Sequence, residues 1–112
     1  MSVAQTAEKH YSMLIDGEYV TCSKTIPVLN PATEDVILEV PEADEGLVKD
    51  AVSAAARAQQ GWAKLPAIKR AGHLHEIANA LRSKKEYLAR VITEEQGKIL
   101  PLARIEVDFS AD

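Results

Sequence analysis

The feature that most constrains this chain is a change of apolar period at Pro41. Upstream, short apolar runs lie between turn residues at strand spacing; downstream, apolar residues recur about every 3.6 positions, the spacing of one helix face. The chain is therefore expected to fold as two β-hairpins followed by three to four helices, an α+β arrangement.

Within the first part, Asp16-Gly17 separates Met13-Leu14-Ile15 from Glu18-Tyr19-Val20. An Asp-Gly pair between apolar runs favours a type I′ turn, which needs positive φ at both central residues. A second ribbon is expected from Thr25 to Leu29 and from Val36 to Val40, joined by the polar turn Asn30-Pro31-Ala32-Thr33-Glu34-Asp35. Pro27 lacks a ladder donor and belongs on an edge. Two-stranded ribbons are marginal alone in water, so both need something larger to pack against.

Beyond Pro41, Asp44 is placed to cap a helix carrying Leu47, Val48, Ala51, Val52, Ala54, Ala55, Ala58 and Trp62. Pro66 suits the first turn of a second helix with the stripe Ile68, Ala71, Leu74, Ile77, Ala78 and Leu81. A third, continuous with it or separate, carries Leu88, Val91 and Ile92 and stops at Gly97, which fits a left-handed cap. Pro101 opens a fourth with Leu102, Ile105 and Phe109 at one-turn spacing. That helix meets no Gly, Asn or Pro stop before Asp112, which reads as a cut rather than a finished end. Residues 1–10 have no period and are expected to form a flexible tail.

Spacing alone yields no active site. The five glycines, at 17, 46, 61, 72 and 97, cannot be written as G-x-G-x-x-G, and Gly97-Lys98 lacks the upstream Gly and following Ser or Thr of a phosphate loop. His73 and His75 are two apart, roughly 200° around a helix, where a zinc pair needs neighbours on one face. Cys22 sits at a strand end with Lys24 as its charged neighbour, so it reads as an ordinary thiol. Arg82, Lys84 and Lys85 suit a helix C-terminus, whereas Glu94 and Glu95 oppose the dipole there unless Arg90 or Lys98 pairs with them.

Composition removes further classes. With 13 basic against 17 acidic residues the net charge is −4, without the basic face that nucleic-acid binding needs. No apolar run approaches the roughly 20 residues of a membrane span, and the first ten residues lack a signal-peptide core. A single cysteine fits a reducing compartment, so the chain is expected to be cytoplasmic, with neither nucleic acid nor membrane as partner.

Five segments in order, Leu14-Ile15-Asp16-Gly17-Glu18-Tyr19-Val20, Asn30-Pro31-Ala32-Thr33-Glu34, Ala51-Val52 through Trp62, Leu65-Pro66-Ala67-Ile68-Lys69-Arg70 and Glu94-Glu95-Gln96-Gly97-Lys98, resemble the N-terminal part of an NAD(P)-dependent aldehyde dehydrogenase. The resemblance runs from Tyr11 to Asp112, and Lys98 to Asp112 is most similar to the lactaldehyde and glycolaldehyde dehydrogenase branch. It implies that residues 11–112 are an incomplete N-terminal portion of the cofactor-binding domain, part of an α/β fold and flanking its Rossmann-like core. In that family a cysteine thiolate attacks the aldehyde, hydride passes to the nicotinamide and a glutamate-activated water releases the acid. Cys22 does not match the nucleophile's motif, so no catalytic or cofactor-binding residue is expected in this chain.

The resemblance further implies NAD or NADP bound by the parent enzyme and not by this segment alone, with the rest of the dehydrogenase chain as partner and a homo-oligomeric parent. It also implies a structural monovalent cation held by Glu95 and a carbonyl near Leu29. The contrasting expectation is an autonomous helical interaction module offering the Ile68–Leu81 stripe to a partner helix.

Overall fold

The computed structural model describes residues 11–112, so the expected tail, residues 1–10, lies outside the described residues. Strand β1 (Met13–Ile15) pairs antiparallel with β2 (Glu18–Val20), opposing Leu14 to Tyr19. Asp16 at φ 54° and Gly17 at φ 81° give the turn the two left-handed residues that a type I′ hairpin requires. Strand β3 (Thr25–Leu29) pairs with β4 (Val36–Pro41), with an irregularity at Val28/Leu29: Val28 faces Leu38 while Leu29 faces Val36, leaving Ile37 as the extra residue of a bulge. The ribbons remain separate two-stranded sheets, which gives Pro27 the edge position it needs.

Four helices follow: α1 (Glu45–Lys64), α2 (Ala67–Ser83), α3 (Lys85–Gln96) and α4 (Leu100–Ala111). Asp44 caps α1 by accepting a 2.8 Å hydrogen bond from the Leu47 amide. Pro66 stands one position outside α2, at its N-cap, rather than within the first turn. A single non-helical residue, Lys84 at φ −105° and ψ 12°, divides α2 from α3, so the two are distinct helices. Gly97 at φ 72° ends α3 in the left-handed conformation, its amide bonded to the Thr93 carbonyl at 3.0 Å. Helix α4 begins at Leu100 and takes Pro101 into its first turn, where the missing N–H costs nothing.

Small side chains make the core. The buried apolar residues among those described are Ala54, Ala89, Ala103, Val107 and Ala111, and α3 meets α4 over Ala89, Ala103 and Val107 with Leu88, Ile92 and Leu100 at the margin. On α4 this reverses the face expected from the sequence. Ala103, Val107 and Ala111, four residues apart, point inward, and Leu102, Ile105 and Phe109 point outward, Phe109 being 75% exposed. Alanine lets two helix backbones approach closely, and that proximity sets which face is buried before side-chain size does. The apolar stripe of α2 is likewise open: Ile68, Leu74 and Ile77 are exposed, and on α1 Val48 and Val52 are exposed too.

Ion pairs flank the α3–α4 contact. Arg104 grips Glu86 with two parallel bonds of 2.8 and 2.9 Å, Lys85 reaches Asp108 at 2.5 Å, and Lys98 bonds Glu106. Arg82, from the end of α2, donates to the Ala111 carbonyl at 3.1 Å and to Asp112 at 2.8 Å. The basic run at Arg82 and Lys85 thus ties α2 and α3 to α4 rather than only complementing a helix dipole.

Candidate functional site

Contacts between the N-terminal part and the helices include three that bear on the site, and one of them seats the turn that follows Leu29 against the helix end that follows Glu95. Asp16 in the first turn pairs with Arg57 of α1 at 2.8 Å, and the Tyr11 hydroxyl lies 3.3 Å from that of Tyr87 on α3. The third contact is between the turn of the second ribbon and the end of α3. A Cβ built on Gly97 would lie 3.2 Å from Cγ of Pro31, so the Asn-Pro turn is seated against the left-handed cap.

The turn is locked locally. The Asn30 side chain accepts from the Ala32 amide at 2.9 Å, its carbonyl accepts from Glu34 at 2.7 Å and Thr33 at 3.3 Å, and its own amide donates to Asp35 at 2.9 Å. Glu34 adopts φ 64°, a left-handed conformation that a non-glycine residue holds at some cost. Leu29 ends β3 immediately before this turn, and Glu95 lies exposed in the last turn of α3, two residues before Gly97. The Pro31–Gly97 contact thus brings together the elements that carry Leu29 and Glu95. Neither Glu94 nor Glu95 forms an ion pair among the described residues; Lys98, a partner expected from the sequence, is engaged by Glu106. Among the described residues no cluster of three or more His, Cys, Asp or Glu side chains suits a metal ion, so a cation here would depend on backbone carbonyls and one carboxylate.

The other singled-out residues do not converge. Cys22 Sγ lies 3.1 Å from the Lys24 carbonyl and 3.2 Å from that of Glu42, and the Glu42 amide donates to the same Lys24 carbonyl at 2.9 Å. The thiol therefore fastens the open end of the second ribbon through these two carbonyls. His73 lies against Trp62 with the rings tilted by 39° and their centres 5.7 Å apart, and Glu76 is 3.4 Å from Nδ1. His75 instead lines an open apolar groove of about 370 Å³ with Leu74, Ile77, Ala78, Leu81 and Ala111.

The start of α1 is not arranged to cradle a dinucleotide. The passage from β4 into α1 is where a strand leads to a helix N-terminus, and the Asp44 carboxylate already accepts from the Leu47 amide there, placing negative charge where a pyrophosphate would sit. One carboxylate elsewhere is clearly perturbed: the hydrogen bond from Arg104 holds Glu86 below the ordinary glutamate value of 4.5, with burial opposing and the positive charges of Arg104, Arg90 and Lys85 assisting. This pair braces α3 on α4. No local pattern marks the Glu86–Arg104 fork or the Cys22–Glu42 contact, because each joins residues about five helical turns or more apart in the chain.

Residues 19–112 match the aldehyde dehydrogenase family. Lactaldehyde dehydrogenase of Escherichia coli is 43% identical over 104 residues, covering 91% of this chain and 22% of that relative. Its crystal structure superimposes with a TM-score of 0.88 over 92% of this chain and 22% of that one. A 3,6-anhydro-L-galactose dehydrogenase, described in complex with NAP, is 37% identical with a TM-score of 0.87, again over 92% of this chain and 22% of that one. The chain therefore spans about a fifth of the length of the relatives it matches. With the family match over most of the sequence and the same arrangement of ribbons and helices in the solved relatives, the chain belongs to the aldehyde dehydrogenase family.

Proposed function

We propose that this chain serves as the N-terminal segment of an NAD(P)-dependent aldehyde dehydrogenase, an oxidoreductase that converts a small aldehyde, lactaldehyde or glycolaldehyde, into its carboxylic acid. The observation that carries the reading is the 43% identity and 0.88 TM-score to a lactaldehyde dehydrogenase along nine-tenths of the chain. Residues 11–112 act as a structural flank of the cofactor-binding domain, and the nucleophile and the NAD or NADP site belong to other parts of the enzyme. The role of this segment is mechanical: the ion-paired α3–α4 unit forms a rigid support, and the seated Asn-Pro turn fixes the second ribbon against it. Partners are the remainder of the dehydrogenase chain and, in a homo-oligomeric cytoplasmic enzyme, further copies of it. No described helix is long and apolar enough to cross a membrane.

A structural monovalent cation at the junction, held by the Glu95 carboxylate and a carbonyl near Leu29, belongs to the same reading. It is supported by the contact that draws the two elements together. Its measure is thermal stability in potassium against lithium buffer. Wild type gains from potassium and Glu95→Gln does not; equal stability of the wild type in both buffers discards the site.

The activity test is NAD(P)H formation at 340 nm with lactaldehyde or glycolaldehyde. The full-length enzyme is expected to turn over and the 112-residue chain to be silent. Turnover by the 112-residue chain alone overturns the assignment of chemistry to other parts of the protein. An inactive full-length enzyme with both aldehydes removes the substrate assignment.

A further inference from the structure

We draw no further inference here: the strongest candidate, the open apolar groove between α2 and the end of α4 lined by Leu74, Ile77, Ala78, Leu81 and Ala111, carries nothing because nothing in the structure shows what covers it.

Discussion

Replacing Gly97 with alanine tests the junction between ribbon and helix directly. The substitution acts in two separable ways. First, φ of 72° places an L-residue in the left-handed region, at about 1–2 kcal/mol. Second, the new methyl would lie 3.2 Å from Cγ of Pro31, tighter than an ordinary van der Waals contact, and displacing the ring adds on the order of 1 kcal/mol, the low end of overpacking. Gly17 supplies the control: its φ is 81° but nothing lies within 4 Å of a Cβ there, so Gly17→Ala carries only the first cost. A double-mutant cycle isolates the second. In a Pro31→Ala background the ring is gone, and Gly97→Ala should become milder by on the order of 1 kcal/mol. Hydrogen exchange of the residue-97 amide, bonded to the Thr93 carbonyl at 3.0 Å, reads local opening, where about 1.4 kcal/mol is a tenfold change in protection. Equal costs of Gly97→Ala in the two backgrounds would refute the seating of the turn on the helix end.

Three further outcomes follow from the packing and the charges. Val107→Ala, which removes two carbons from a site only 3% exposed, should cost about 2 kcal/mol of stability, read as a lower urea midpoint of the helical signal, whereas Phe109→Ala should change it little; the opposite order would mean that the other face of α4 is buried. Glu86 has a lowered folded value, so its pairing stabilises the fold above 4.5 and is lost as pH falls through that lower value; Arg104→Gln should therefore lose less stability than wild type between pH 7 and pH 3, and an unchanged difference removes the pair from acid unfolding. Asp44→Ala should cost about 1 kcal/mol, seen as faster exchange of the Leu47 amide, and unaltered exchange would mean that the cap is not formed.

Local rules made the element order legible. Asp16-Gly17, Asp44 and Gly97 each specify a backbone conformation through their own chemistry, and each does so in the structure. The face of α4 was not legible that way. Leu102, Ile105 and Phe109 form the larger apolar set, and nothing local marks Ala103 and Val107 as the residues that α3 approaches. The same limit applies to Lys98: a choice between Glu95 and Glu106 depends on how α3 and α4 meet, a relation set by tertiary packing. The junction at Leu29 and Glu95 is legible only through family likeness, since no spacing rule links a strand end to a helix end 66 positions away.

The alanine-lined contact between α3 and α4 sets a filter on sequence variation that ignores polarity and reads volume. In a library randomised at Ala89 and Ala103, both 0% exposed, selection for folded protein should retain glycine, alanine and serine and discard every branched or aromatic residue. The outward positions 102, 105 and 109 would accept a wide chemical range in the same selection, so the most permissive and most restrictive sites of one twelve-residue helix lie on opposite sides of the same turn.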